Sequence, residues 1–138
     1  MASRADDWFR QACRDLAHAK DTLGDRVGRL RRVRRAVDDY VHALAARHGE
    51  IEEVMLFGSL ASGTPVPGSD VDLLLILTSS DRPFRERIPL LLPGRFPVGV
   101  DVFPYSRPEV ERMRQEGNPR IARALQEGVT IFRRSGTP

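Results

Sequence analysis

The stretch that most restricts the fold is Val71–Leu77, with the sequence VDLLLIL. An almost wholly apolar run of this length is typical of a strand that is covered on both faces of a sheet. The run therefore predicts a core strand rather than a surface strand. Two carboxylates stand at its start, Asp70 and Asp72. Buried carboxylates are costly unless something compensates their charge, so their position requires an explanation.

The remainder of the chain predicts helices and further strands around this strand. Apolar residues at spacings of three and four predict helices over 4–23 and 26–48, and Gly49 is placed as a C-cap. Shorter runs complete the order, with strands at 54–57, 98–103 and 129–132 and helices at 85–92, 108–116 and 120–127. Pro104 is predicted to close the third strand. Strands and helices that share 138 residues predict one α+β domain, a small mixed sheet flanked by helices.

We expect that domain to span residues 1–138, with a helical pair at 1–49 and a sheet core at 50–138. Cys13 is the only cysteine, which excludes an internal disulfide and favours a reducing, cytoplasmic compartment. The N-terminus lacks the apolar core of a secretory signal, and no apolar stretch approaches the roughly 20 residues that span a bilayer. The arginine-rich stretch 26–35 favours a solvated helix face, and contact with nucleic acid stays open.

A third aspartate, Asp101, indicates a role for Asp70 and Asp72. Side chains two apart in a strand share a face, so Asp70 and Asp72 lie about 7 Å apart on one side. Asp101, in the run VGVDVF, points away from its valine neighbours, and it joins the other two if its strand lies beside Val71–Leu77. Carboxylates that cluster in this way repel one another unless a divalent cation lies between them, and oxygen ligands suit Mg²⁺ or Mn²⁺.

Three such carboxylates predict a pair of metal ions that serves in-line phosphoryl or nucleotidyl transfer. In that arrangement Asp70 and Asp72 hold the nucleotide-bound metal and share the second one. Asp101 helps to bind the metal that lowers the pKa of the attacking hydroxyl. Gly58 and Ser59 follow a predicted strand and precede a predicted helical turn, which is a favourable position for a phosphate. Gly58 permits close approach of the backbone, and the Ser59 hydroxyl can donate to a phosphate oxygen.

These residues resemble a known family. Gly58-Ser59, ten further residues, Asp70-Val71-Asp72 and then Asp101 are similar to the motif of the DNA polymerase β-type nucleotidyltransferases, and most of all to the minimal nucleotidyltransferases. The resemblance runs from residue 51 to about 132. It implies a polymerase β-like fold, ATP or another nucleoside triphosphate as donor, two Mg²⁺ ions, and transfer of a nucleoside monophosphate to a hydroxyl. Ser62 departs from the pattern, because many members carry arginine there.

The resemblance also implies a partner. Minimal nucleotidyltransferases pair with HEPN-domain proteins in toxin–antitoxin systems, and the stretch Asp6–Lys20 is itself similar to a HEPN first helix. We therefore expect an antitoxin that transfers AMP to its HEPN partner, with a partner subunit or a second copy completing the cleft. Two alternatives stay open. One is a binding module that neutralises its partner by contact alone, and the other is an adenylyltransferase for small molecules of the aminoglycoside type.

Overall fold

The computed structural model describes residues 23–58 and 71–135. The predicted helix over 4–23, apart from its last residue, lies outside these ranges, and so do Ser59, Ser62 and Asp70. In chain order, the elements are α1 Leu23–Arg47, β1 Ile51–Phe57, β2 Val71–Leu77, α2 Phe84–Leu91, β3 Val100–Ser106, α3 Arg107–Gln115, α4 Pro119–Glu127 and β4 Val129–Arg133. This order matches the predicted one throughout the described residues.

The four strands form one mixed sheet in the order β3-β2-β1-β4. β2 and β3 run parallel, whereas β1 is antiparallel to both β2 and β4. As a result, the last residue of β1 and the first residues of β2, β3 and β4 lie at one end of the sheet. We call this the carboxylate end, because Asp72 and Asp101 lie there. The predicted α+β class with a small mixed sheet is confirmed.

Two apolar layers cover the sheet, one on each face. On the first face, α1 buries an apolar stripe of Val33, Val37, Val41 and Leu44 against the alternate residues Leu73 and Leu75 of β2. On the second face, α3 and α4 contribute apolar residues that pack on the other side of the same strands, namely Val110, Ile121 and Ala124. β2 is therefore covered on both faces, as its composition predicts. Each such buried valine, leucine or isoleucine side chain stabilises the fold by about 1.5–3 kcal/mol.

Helix α2 joins α1 at the β3 edge of the sheet. Leu91 is buried in the same apolar cluster as the α1 stripe. The Tyr40 hydroxyl of α1 donates a hydrogen bond to the carbonyl oxygen of Leu91, and burial raises the pKa of Tyr40. Leu90 and Leu92, on either side of Leu91, are exposed. Helix α2 thus presents one apolar side to the core and another to solvent.

Strand β3 continues through Pro104 to Ser106, so the prediction that Pro104 closes the strand is wrong. β3 is an edge strand with β2 as its neighbour. A proline in an edge strand does not break the hydrogen-bond ladder when the position of its missing N–H faces away from the neighbouring strand. The Pro104 carbonyl oxygen accepts a hydrogen bond from Nη1 of the buried Arg87 at 3.0 Å. Arg87 thereby ties α2 to β3.

The C-terminus of α1 is capped by a side chain from far along the sequence. Gly49 does not adopt the positive φ of a glycine cap, contrary to the role predicted from its position. Instead, the guanidinium of Arg134 donates to the carbonyl oxygens of Ala45 and His48 at 2.9 and 3.2 Å, and to that of Ile51 at 2.9 Å. The bond to Ala45 satisfies a carbonyl of the last helical turn, which the helix itself leaves without a partner. The His48 carbonyl also accepts from the N–H of Ile51, at 3.1 Å. Within the described ranges, no helix is both long and apolar enough to cross a membrane.

Candidate active site

Asp72 and Asp101 are direct neighbours across the parallel pair of β2 and β3. Strands that pair in this way lie about 4.8 Å apart, so the two backbones hold their carboxylates side by side. Asp101 is exposed and Asp72 is partly buried. The condition stated for Asp101, that its strand lies beside Val71–Leu77, is met. Asp101 faces away from the buried Val102 as the alternation requires.

Gly58 lies next to Asp72 on the β1 side of the site. Phe57 pairs with Asp72, so Gly58 lies immediately beyond the register position of that aspartate. Gly58 has a φ of +86°, which side-chain-bearing residues rarely adopt, and a Cβ at this position would collide with Oδ2 of Asp72. Glycine therefore suits this position in two ways: it adopts the positive φ without strain, and it leaves the Asp72 carboxylate where it lies.

The residues at this end of the sheet fit a divalent cation in their chemistry. Asp72 and Asp101 supply hard carboxylate oxygens from neighbouring positions, the donor type that Mg²⁺ and Mn²⁺ prefer. Asp70 and Ser59, the other predicted members, lie outside the described residues. Over 23–58 and 71–135 there is no group of three or more acidic, histidine or cysteine side chains that could hold a metal. Metal binding by Asp70, Asp72 and Asp101 stays a prediction.

A groove of about 240 Å³ begins at Asp101 and was missed by the sequence reasoning. We call it the β3 groove; its lining includes Phe84, Leu92, Asp101, Phe103, Tyr105 and Arg120. The rings of Phe84 and Tyr105 stack with centroids 4.5 Å apart, and the guanidinium carbon of Arg120 lies 4.9 Å from the centroid of the Phe103 ring. A signal was present in the sequence, since Asp101, Phe103 and Tyr105 alternate along one strand and therefore share a face.

A larger cavity of about 470 Å³ opens at the other end of the sheet, lined by residues that include His48, Ser79, Ser80 and Leu90. Size alone would favour it as the binding site. However, it lies at the opposite end of β2 from Asp72, because its lining includes Leu77, the last residue of that strand. The carboxylate chemistry and the larger cavity are therefore separate features.

Two carboxyl groups with lowered pKa values also lie at that opposite end. Burial disfavours the charge of Glu53, but hydrogen bonds from Arg133, Thr130 and Arg107 outweigh it and lower the pKa. The hydrogen bond from Arg87, reinforced by bonds from Ser106, lowers the pKa of Glu109 to about 2. Each of these carboxylates is paired with arginine, as expected of structural ion pairs. The Glu53 pairs fix α3 and β4 on β1, and the Glu109 pair joins α3 to α2.

Comparison with known proteins decides the family. A sequence model of the nucleotidyltransferase domain matches residues 37–124, which is more than half of the chain and includes Gly58, Asp72 and Asp101. The chain belongs to the nucleotidyltransferase domain family. This membership confirms the resemblance that the spacing of the motif indicates.

A solved structure agrees with the fold of this nucleotidyltransferase domain. The crystal structure of a candidate nucleotidyltransferase from Sulfolobus solfataricus, determined at 1.40 Å, superposes with a TM-score of 0.57 at 20% identity. The match covers 78% of this chain and 86% of the other. At that identity the likeness concerns the fold alone. No curated protein sequence matches this nucleotidyltransferase domain significantly.

Proposed function

We propose that this protein transfers AMP from ATP to a hydroxyl group of a partner protein. The observation that supports the proposal most strongly is the register of Asp72 with Asp101, with Gly58 packed against Asp72. Two carboxylates at the open end of a sheet, beside a glycine that admits a phosphate, suit a nucleoside triphosphate better than an apolar substrate. Membership of the nucleotidyltransferase family supports the same reaction class.

The chemistry assigns a role to each residue. Asp72 and Asp101, together with Asp70, would hold two divalent cations, which when bound neutralise the triphosphate and lower the pKa of the acceptor hydroxyl. The acceptor oxygen forms a bond to the α-phosphorus while the bond between that phosphorus and the bridging oxygen of the β-phosphate breaks. Pyrophosphate leaves, and the hydroxyl proton passes to bulk water, to which Asp101 is exposed. Gly58 and Ser59 hold the departing phosphates through backbone and hydroxyl donors.

The acceptor that we propose is a HEPN-domain protein, with this chain as its antitoxin. Two features support a macromolecular acceptor. Asp101 is exposed on the edge strand of the sheet, so a second protein can reach it. The family resemblance of the motif points to the HEPN pairing, and the modification would inactivate the toxin. A complex of the two proteins then completes the cleft.

The test is incubation with ATP labelled at the α-phosphate, Mg²⁺ and the product of the neighbouring gene. We expect label on the partner with the wild-type protein and none with Asp101→Asn. Asp81→Asn, which changes an exposed carboxylate away from the site, should label normally. If Asp101→Asn neutralises the partner as well as the wild type does, and no label is transferred by either, the protein acts by contact and the proposal is wrong.

A further inference from the structure

The order of strands at the carboxylate end determines on which side of the site each of the two substrates of the proposed reaction binds. Gly58, where the phosphates are expected, follows β1, and Asp72 lies on β2. Asp101 lies on β3, on the far side of Asp72 from Gly58. With about 4.8 Å between neighbouring strands, the nucleotide occupies the β1 side and the attacking hydroxyl approaches from the β3 side. Whatever binds beyond Asp101 is therefore on the acceptor's side.

The β3 groove lies in that position. Asp101 is itself part of its lining, and Phe103 and Tyr105 extend it along the same face of the edge strand. The opposite wall is formed by Phe84 of helix α2 and by Leu92, the residue that follows this helix. Leu92 is 43% exposed, a high value for leucine, so this wall offers apolar surface to solvent. Stacked aromatic rings beside exposed leucine suit a large apolar or aromatic side chain.

Arg120 gives the groove a charge preference. Its guanidinium lies over the Phe103 ring at the start of α4. Arg114 and Arg123 of the same two helices pair with Glu111 and Glu127. In the part of the chain that the structure describes, no carboxylate forms an ion pair with Arg120. A cation that is held on a ring and is not engaged in an ion pair with the described residues is suited to a carboxylate from outside the chain.

We propose that the β3 groove binds the acceptor polypeptide and selects its sequence. The segment places a large apolar or aromatic side chain against Phe84 and Tyr105, a carboxylate on Arg120, and the hydroxyl that receives AMP beside Asp101. This inference rests on the proposed function, because it names the acceptor side of the same site. It adds a sequence preference: acceptor hydroxyls with acidic and large apolar neighbours react, and those with basic neighbours do not.

Two matched sets of short synthetic peptides test this preference. Both carry a central serine, threonine or tyrosine and a flanking leucine or phenylalanine, and they differ only in having acidic or basic neighbours. With α-labelled ATP and Mg²⁺, the wild-type protein should label the acidic set more strongly, by about tenfold, as expected for one partly desolvated ion pair. Arg120→Glu should reverse the preference, and Arg120→Lys should keep its direction.

Arg123→Glu is the control, because it makes the same change of charge on the same helix at a side chain that is 77% exposed. It should leave the preference of the wild type unchanged. Binding of Mg²⁺ with the α,β-methylene analogue of ATP, measured by calorimetry, should be equal in the wild type and Arg120→Glu. If Arg120→Glu abolishes binding of the analogue, or if it keeps the acidic preference, the inference is wrong.

Amide NMR shifts on adding the acidic peptides, without nucleotide, separate this inference from the proposed function. We expect shifts in β3 and at the start of α4. Shifts there without any labelling would support the groove and contradict the proposed transfer. Labelling without shifts there would contradict the groove and leave the transfer supported. If neither is seen, both proposals are overturned.

Discussion

The Oδ2 atom of Asp72 occupies the space into which a Cβ of residue 58 would project. Gly58 and Asp72 therefore depend on each other: the glycine leaves room for the carboxylate, and the carboxylate lies against the backbone that leaves β1. Because Phe57 pairs with Asp72 and Asp72 pairs with Asp101, this contact is continuous with the acidic pair on β2 and β3. The proposed metal centre thus depends on a residue that has no side chain.

Gly58→Ala should reduce both stability and nucleotide binding. The positive φ of Gly58 costs an alanine about 1–2 kcal/mol, and the added methyl group displaces the Asp72 carboxylate. Gly117→Ala is the matched control, since Gly117 has a φ of +76° but nothing lies within 4 Å of its missing Cβ. We expect urea denaturation to show similar losses for both variants, whereas calorimetry with Mg²⁺ and ATP should show weaker binding for Gly58→Ala alone. Equal binding by both variants would contradict the role of Gly58.

Glu109→Gln should lower stability near neutral pH by about 3 kcal/mol, because it leaves the buried Arg87 without its carboxylate. The pKa of Glu109 falls from 4.5 to about 2 on folding, so the folded state binds its proton less readily than the unfolded state. The stabilisation is fully present above pH 4.5 and is lost as the pH falls towards 2. Urea denaturation across this range should show a steep decline for the wild type and a shallower one for Glu109→Gln.

Glu111→Gln provides the comparison for that experiment. Glu111 lies on the same helix and pairs with Arg114, but both side chains are about half exposed. Such a pair contributes less than about 1 kcal/mol. The prediction for Glu109 would be contradicted if the two variants lost the same stability, or if the acid dependence of Glu109→Gln equalled that of the wild type.

Gly128→Ala should destabilise the junction of α4 and β4 by about 1–3 kcal/mol, the usual cost of forcing a methyl group into packed surroundings. A Cβ at this position would collide with the carbonyl oxygen of Ala124 and lie 3.2 Å from that of Leu56. Both atoms belong to the backbone, so α4 or β1 must shift. Gly49→Ala, where nothing lies within 4 Å, should change stability by less than about 1 kcal/mol in urea denaturation. A neutral Gly128→Ala variant would contradict this account of the junction.

Local pattern was enough to predict most elements of the described fold. The run Val71–Leu77 is apolar on both faces because helices cover both, and the stripe from Val33 to Leu44 is buried as its spacing indicates. The alternation around Asp101 likewise predicted its direction, away from Val102. These features depend on residues that are close together in the sequence, so local sequence patterns are enough to predict them.

Contacts between distant residues could not be predicted in this way. The pairing of Asp72 with Asp101 depends on which strands meet and in which register, and the sequence supported it only as a condition. Arg134 resembles any surface arginine until the sheet brings it to the end of α1, where it replaces the expected glycine cap. From local sequence, Pro104 is predicted to end its strand. The strand can continue through this proline because β3 lies at the edge of the sheet, which the local sequence does not reveal. In each case tertiary structure decides the role.

Binding of Mn²⁺ tests the central claim most directly. Electron paramagnetic resonance can count the bound ions during a titration in the presence of the α,β-methylene analogue of ATP. If Asp72 and Asp101 are metal ligands, the wild type and Asp81→Asn should bind two ions, and Asp72→Asn and Asp101→Asn should each lose at least one or bind it at least about tenfold more weakly. Unchanged Mn²⁺ binding in both Asp72→Asn and Asp101→Asn would contradict the claim that this neighbouring pair forms the metal centre of a nucleotidyltransferase.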